Sequence, residues 1–346
     1  MSKQNIFKAV EALGKAMDKA NEGSMTFQRQ GNLVNRPVPS IPSNLISLDR
    51  DVLGCGGFPR GRIIEVYGPE SAGKTALCLH VAGECQKAGG VVALVDAEHA
   101  LSPTFSNTLG VDMSELIISQ PDCGEQALEI VEGLVDAGVD LIIVDSVAAL
   151  TPRAEIDGDM GDSHMGLMAR LLSQAMRKLC AKTSKAGTVI IFVNQVREKI
   201  GLVFGDPTVT TGGRALKFYS SVRLEIRRVA GSKGGVLKNG EVIIGHKINI
   251  KATKNKVAFP FKESIVDIHY ATGFQKDEDL INYAQKIGVL TGSAWLCIVG
   301  DSEKYRREGL PIAVLKAAVS KYHADIQSKM EESDEATDED TTDANG

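Results

Sequence analysis

Four short runs of almost unbroken Val, Ile and Leu limit the fold of this chain more than any other feature. They are RIIEVYG (62–68), VVALVDAE (91–98), LIIVDS (141–146) and TVIIFVNQ (188–195). A strand with one wet face alternates apolar and polar residues, so runs that stay apolar at successive positions must be covered on both faces. The segments between them, SAGKTALCLHVAGECQKAG, GEQALEIVEGLVDAG and RLLSQAMRKLCAKTSKAG, read as helices, two of them closed by a glycine after a lysine. Strand and helix in strict alternation predict an α/β fold: a mostly parallel sheet with helices on both faces.

Further along, SVRLEIRRV (221–229) and VIIGHKINIKATKNK (242–256) alternate more strictly, as antiparallel strands do. Residues 275–330, with DEDLINYAQKIGVL and PIAVLKAAVSKYHADI, read as a small C-terminal α/β domain, and the lone Trp295 is assigned to its core. At the other end, Phe7, Val10, Leu13 and Met17 form one apolar stripe on a helix. The proline-broken NRPVPSIPSN that follows reads as a linker. The stripe needs a partner, either its own domain or a neighbouring subunit. The predicted organisation is an N-terminal helix and linker at 1–36, a core at 37–274, the small domain at 275–330 and an acidic tail at 331–346.

Composition narrows the class. No apolar run reaches the ~18 residues of a membrane span, and the N-terminus lacks the features of a signal peptide, so a cytoplasmic protein with no membrane partner is expected. The six cysteines include no C-x-x-C pair, which speaks against zinc and a disulfide framework. The formal charge of -5 conceals a division: residues 331–346 carry eight acids and no Lys or Arg, leaving +3 for residues 1–330. A mildly basic body with a disordered acidic tail is expected. The tail is either a solvated terminus or a polyanion that competes with nucleic acid for a basic surface.

The chemistry is written most clearly in GPESAGKT, residues 68–75, which fits G-x-x-x-x-G-K-[ST] between a strand and a helix. Of Gly68, Pro69, Glu70, Ser71, Ala72 and Gly73, all but the proline offer a backbone N–H that suits phosphate oxygens, and the helix dipole favours their charge. Lys74 is placed for the β- and γ-phosphates and the Thr75 hydroxyl for Mg²⁺. Asp145, ending LIIVDS, is the second metal candidate, with simple turn capping as its other reading. Asp96, Glu98 and His99 follow the neighbouring strand. Glu98 is preferred for activating a water because it lies just past the strand, where ligand crevices open, and Asp96 is the alternative.

Gln195 ends the fourth strand beside Asn194 and leads into a long glycine- and threonine-rich loop, 196–213, carrying Arg197, Lys199 and the Gly212-Gly213 pair before Arg214. A neutral amide there either caps the strand or couples a γ-phosphate to a loop whose order depends on nucleotide. The loop's exposed N–H groups, hydroxyls and cations suit a phosphodiester backbone. Arg170 and Arg177 share one face of the preceding helix, with Lys178 adjoining. A second glycine-rich loop, IDGDMGDSHMG (156–166), is acidic, and its role does not follow from charge.

Taken together, GPESAGKT, LVDAEHAL, VDSVAALTP, GDSHMG, FVNQVREKIG, TTGGRALKFY and ATKNK resemble the RecA family of bacterial recombination proteins, from about residue 5 to residue 325. The resemblance implies a RecA-type P-loop core and a DNA-dependent ATPase using ATP and Mg²⁺. Such a protein forms a helical filament of itself on single-stranded DNA, pairs it with double-stranded DNA and exchanges strands. It also promotes self-cleavage of an SOS repressor of the LexA type. By resemblance, Glu98 activates water and Gln195 couples the γ-phosphate to DNA. Lys254 and Lys256 reach a neighbour's ATP, and Phe105 and Tyr270 belong to the nucleotide site. The loops 156–166 and 196–213 match the DNA-binding loops, bringing in Met165, Gly166, Ile200, Gly212 and Gly213, and the N-terminal helix matches an element that packs on the adjacent subunit. One departure stands out. Where the family has HALDP followed by a tyrosine, this chain reads HALSPTF, so Ser102 and Phe105 keep an aromatic face but weaken a polar contact. A ring-forming helicase-like or recombinase-like motor on the same core is the alternative. A GTPase is disfavoured because TKNK lacks the Asp of N/T-K-x-D.

Overall fold

The computed structural model describes residues 38–159, 166–198 and 208–339, together with Lys8 and Ala12, both helical. The apolar stripe at Phe7, Val10, Leu13 and Met17 lies outside the described residues, as do 160–165, 199–207 and 340–346. The four predicted core strands are Ile63–Gly68 (β3), Val92–Asp96 (β4), Leu141–Asp145 (β6) and Val189–Glu198 (β7). Ser40–Ile41 (β1) and Phe58–Pro59 (β2) form a small separate pair ahead of them. Leu116–Ser119 (β5) is an edge strand that the sequence pattern conceals, since Ile117 and Ile118 are both exposed. Thr208–Thr210 (β8) folds back on β7. Val222–Arg228 (β9), Val236–Asn239 (β10), Val242–Asn255 (β11), Glu263–His269 (β12) and Gly273–Phe274 (β13) complete a sheet of order β13-β12-β11-β9-β3-β7-β6-β4-β5. Leu290–Thr291 (β14) and Cys297–Ile298 (β15) form a hairpin of their own.

β3, β4, β5, β6 and β7 run parallel, as expected of buried apolar runs. SVRLEIRRV departs from expectation: β9 is antiparallel to β11 but parallel to β3, so it is the seam between the two halves of the sheet. Its inner positions Val222, Leu224 and Ile226 are fully buried, as a seam covered on both sides requires.

The helices are Lys74–Lys87 (α1), Pro103–Thr108 (α2), Gly124–Asp136 (α3), Arg153–Ile156 (α4), Leu167–Ala186 (α5), Ala215–Tyr219 (α6), Lys276–Lys286 (α7) and Ile312–Glu339 (α8). Successive strand residues point to opposite faces, and the core divides accordingly. Ile64, Val66, Leu94 and Ile143 pack with Leu77 and Val81 of α1. Ile63, Ala93, Val95, Ile142 and Val144 pack with Val131 of α3 and Leu172 and Met176 of α5.

Three expectations need correction. From Ser40 the proline-broken segment is not a free linker: Ile41 and Ser43 are buried, and Asp49 accepts from the Ser43 hydroxyl at 2.7 Å and the Asn44 backbone N–H at 3.0 Å. Trp295 is 54% exposed, because Leu290, Leu296 and Ile298 fill the core beside it, and the Arg306 guanidinium lies 5.2 Å above its ring. The acidic segment is helical through Glu339. Extending a helix already nucleated on packed residues costs little, and Ala, Glu, Met and Lys favour it.

A third apolar cluster, including Leu280, Ile281, Leu296, Leu315 and Val319, is built from α7, β14, β15 and α8. It is tied to the sheet-bearing part by polar contacts. Ser47 donates through its backbone to Asp279 at 3.1 Å. Glu84, on α1, accepts from Lys87 at 2.8 Å, from Lys276 at 2.6 Å and from the Asn44 amide. No helix among the described residues is long and apolar enough to cross a membrane.

Candidate nucleotide site and nucleic-acid interface

Parallel strands bring their C-terminal ends to one edge, and the polar residues that close each run meet there. β3 ends at Gly68, whose missing side chain matters: a Cβ would lie 2.1 Å from the Ile226 carbonyl oxygen of β9. The loop continues through exposed Pro69, Glu70 and Ser71 and buried Ala72 to Gly73, with φ of 99°, and α1 begins at Lys74. The first N–H groups of α1 have no partner within the helix, which leaves them directed at the loop.

Lys74 is 8% exposed and donates to the Pro69 carbonyl at 2.7 Å, so it lies over its own loop. Burial holds its pKa below the ordinary lysine value, although Asp145 and Glu98 act in the other direction. The Thr75 hydroxyl donates to Asp145 at 2.6 Å. Burial pushes the Asp145 carboxyl up to about 6 against that hydrogen bond. A hydroxyl and a carboxylate side by side at a phosphate loop are hard oxygen donors, the type Mg²⁺ takes along with phosphates and water. Among the described residues no group of three or more His, Cys, Asp or Glu side chains forms a closed metal cage.

The two carboxylates after β4 have different surroundings. Asp96 is buried and accepts from the backbone N–H groups of Ala100 at 3.3 Å and Leu101 at 3.4 Å and from Gln120 at 3.1 Å. It organises the turn. Glu98 is exposed at the strand-end crevice and accepts from the Ser146 hydroxyl and from the Gln195 side-chain amide at 3.2 Å. His99 is exposed, with φ of 54°. Asn194 anchors the next strand end. Its amide donates to buried Glu65 at 2.9 Å and to the Thr211 carbonyl at 3.0 Å, and its oxygen accepts from the Gln195 backbone at 2.9 Å.

Beside the phosphate loop, Phe105 and Tyr270 line a cavity of about 270 Å³ with Arg228, His246, Ile268, His269 and residues 71–76. Ser102 is the N-cap of α2, accepting from the Phe105 backbone at 3.4 Å. The position of Phe105 at the start of this short helix follows from that cap.

The stems of the two loops meet. Gly166, with φ of 84°, opens α5, which buries Leu172, Met176, Leu179 and Thr183 and leaves Arg170 and Arg177 exposed. Arg197 is exposed on β7, paired with Val209 of β8. The returning chain then turns at Gly212 and Gly213 against that helix: a Cβ on Gly212 would sit 2.4 Å from a Leu172 methyl, and one on Gly213 2.8 Å from the Ala169 Cβ. Arg214 follows, exposed, before α6. Gly166, Arg170, Gly212, Gly213 and Arg214 are therefore gathered at one place. Lys178 instead pairs with Glu132 of α3 at 3.6 Å. Met165, Lys199 and Ile200 lie outside the described residues.

Lys254 and Lys256 are elsewhere. Lys254 pairs with Arg223 of β9, Lys256 donates its backbone N–H to Ser221, and Ser221 donates to Ile63 at the start of β3. Lys256 thus lies about 16 Å along the strand direction from the Gly68 end, at ~3.3 Å per residue, on the opposite edge of the sheet. The Lys254 ammonium donates to the carbonyls of Lys217 and Phe218 at the end of α6, at 2.8 and 2.9 Å. Asn255 donates to the Val52 and Leu53 carbonyls, a structural use of the TKNK segment.

Sequence reasoning missed Ser146, Glu65 and His246. Ser146 was in view as the last residue of LIIVDS. The other two are strand residues whose neighbours are set by sheet order alone.

Comparison with known proteins shows the family. Residues 7–275 match the family model described as the RecA N-terminal domain. The chain is 52% identical over 305 residues to Protein RecA of Macrococcus caseolyticus, covering 88% of this chain and 84% of that protein. It is 50% identical to Protein RecA of Enterococcus gallinarum, covering 87% and 85% of the two chains. With Protein RecA of Streptomyces coelicolor it shares 54% identity over 81% of this chain and 74% of the other. Its backbone resembles the crystal structure of the RadB recombinase, with a TM-score of 0.50 at 23% identity, covering 67% of this chain and 97% of that one. The chain belongs to the RecA family, the DNA-dependent ATPases of homologous recombination.

Proposed function

We propose that the ATPase centre of this recombinase is the cluster at the C-terminal edge of the parallel sheet, with residues 68–75 holding the triphosphate of ATP. The observation that carries this reading is the convergence of four strand ends: the Lys74 loop, the Thr75–Asp145 pair at 2.6 Å, Glu98 and Gln195. Thr75 and Asp145 would hold Mg²⁺, which when bound neutralises charge on the phosphates. Lys74 leaves the Pro69 carbonyl for phosphate oxygens. Glu98 takes a proton from the attacking water, with the Ser146 hydroxyl and the Gln195 amide fixing its orientation. Phe105 and Tyr270 flank the base.

Gln195 is the link to DNA. Its amide rests on Glu98, and its strand is joined through Asn194 to Thr211, on the return leg of the loop. When the amide turns to a γ-phosphate, the strand end and the loop stem move with it. The stems carrying Arg170, Arg197, Gly212, Gly213 and Arg214 form the single-stranded DNA site, reading phosphates rather than bases, and Arg177 extends it along α5. Double-stranded DNA is the second substrate.

The centre is completed by another subunit. The placement of Lys254 and Lys256 on the edge opposite Gly68 supports their action on a neighbour's ATP in a helical filament, as does the spacing of Phe7, Val10, Leu13 and Met17 in the sequence. On that reading residues 1–36 are the assembly element, 37–274 the core, 275–330 a small domain and 331–346 an acidic extension. The filament acts in the cytoplasm and engages an SOS repressor of the LexA type. The experiment is ATP turnover with and without single-stranded DNA for Lys74→Ala: turnover is abolished in a protein of unchanged thermal stability. Normal turnover in the folded variant overturns the assignment.

A further inference from the structure

Seven buried side-chain atoms among the described residues lack a hydrogen-bond partner, and two of them are the ring nitrogens of His246. Burying an unpaired polar atom is costly, so native chains keep such groups where something else satisfies them. His246 is 8% exposed and, of the residues with such atoms, it alone lines the cavity at the phosphate loop. It is held there by sheet pairing. His246 of β11 lies opposite Ile268 of β12, and the Tyr270 backbone donates to Ile244 at 2.9 Å. The rings of His246 and Tyr270 are consequently 5.7 Å apart at 46°. The neighbouring Gly245 permits this close pairing, since a Cβ there would lie 2.2 Å from the Ile268 carbonyl oxygen.

The cavity combines two exposed aromatic side chains, Phe105 at 37% and Tyr270 at 50%, with one buried, unsatisfied heteroaromatic ring. Stacking surfaces suit a planar base, and unsatisfied ring nitrogens suit its hydrogen-bonding edge. Ser102 is already occupied as the cap of α2.

We propose that His246 reads the purine base of the nucleotide and serves a 6-amino and a 6-oxo purine alike. This rests on the phosphate-loop site proposed above. A neutral imidazole has one N–H donor and one bare nitrogen, and it exchanges them between its two tautomers. The bare nitrogen accepts from a 6-amino group; the other tautomer donates to a 6-oxo group. An acceptor-only carboxylate would distinguish the two, whereas His246 does not. Burial and the nearby Arg228 guanidinium hold its pKa below the ordinary histidine value, which keeps the ring neutral.

The test compares ATP with ITP as substrates of DNA-stimulated turnover, with inorganic tripolyphosphate as a competitor that carries no base. In the natural protein the KM values for ATP and ITP agree within about threefold. In His246→Leu both rise about three- to tenfold, the loss of one neutral hydrogen bond, with kcat and the Ki of tripolyphosphate unchanged. His246→Gln, which retains a donor and an acceptor, returns both KM values most of the way. An unchanged KM for ATP in His246→Leu overturns the base contact, as does failure of His246→Gln to rescue. A KM for ITP more than about tenfold above that for ATP in the natural protein overturns the dual reading. If tripolyphosphate competes in every case but the KM for ATP does not change in His246→Leu, the phosphate-loop reading stands while this one falls. If it does not compete even in the natural protein, the underlying site is wrong.

Discussion

Glu84 provides the sharpest test of how the phosphate-loop helix is held. It is a buried carboxylate on α1, and burial alone would raise its pKa. The Lys276 and Lys87 ammonium groups and the Asn44 amide outweigh that and bring it from the ordinary 4.5 to about 2. A depressed carboxylate pKa stabilises the fold above the unfolded-state value and is lost as pH falls through the folded-state value. The shift corresponds to about 3 kcal/mol at pH 7, where the contribution is fully present, and to about 1 kcal/mol at pH 3. Glu84→Gln keeps the shape and one acceptor while removing the charge. Urea unfolding of the two proteins, followed by circular dichroism, should separate them by about 3 kcal/mol at pH 7 and by about 1 kcal/mol at pH 3. Because Lys276 begins α7 and Asn44 lies in the largely buried segment between β1 and β2, the lost contact loosens both from α1 together. A difference of the same size at both pH values would show that Glu84 acts through packing, and the ionic account would be wrong.

Other outcomes follow from the site. Glu98→Gln lowers ATP turnover by about 10²- to 10⁴-fold, as loss of a general base does, with nucleotide affinity measured by competition little altered. Gly212→Ala meets both a φ of 83° and a Leu172 methyl at 2.4 Å. It costs about 2–4 kcal/mol in urea unfolding and reduces DNA stimulation more than basal turnover. Mixing inactive Lys256→Ala with inactive Glu98→Gln restores part of the DNA-stimulated rate, since some junctions combine an intact half from each. Absence of recovery at every ratio argues for a site completed within one chain.

What was legible in the sequence follows from how local each requirement is. A phosphate loop needs its glycines, lysine and threonine contiguous in the chain, so residues 68–75 are read directly. That Asp145, Glu98 and Gln195 lie near that loop is legible because buried parallel strands bring their ends to a common edge. That Asp96 is engaged by the backbone N–H groups of Ala100 and Leu101, while Glu98 is left at the crevice, needed coordinates. His246 could not be found from pattern: β11 alternates, but what a side chain faces depends on the strands beside it, and β12 was not foreseen. β9 was misread for a related reason, since a seam strand has one antiparallel neighbour and one parallel one. Trp295 shows the limit of residue-type reasoning, because smaller side chains had already filled the core beside it.

The opposite placement of Lys256 and Gly68 across the sheet makes each chain a directional part, with the phosphate loop at one edge and the two lysines at the other. On the proposed in-trans role, a run of n subunits has n − 1 complete junctions, so one nucleotide always sits at an end without its partner lysines. Turnover per subunit then rises with length toward a plateau, steeply for the shortest runs. The unmatched end keeps its ATP longer than the interior and is the place where subunits can add without first exchanging nucleotide. On that role, the register of β9 against β3 and β11 would set a polarity of growth along DNA.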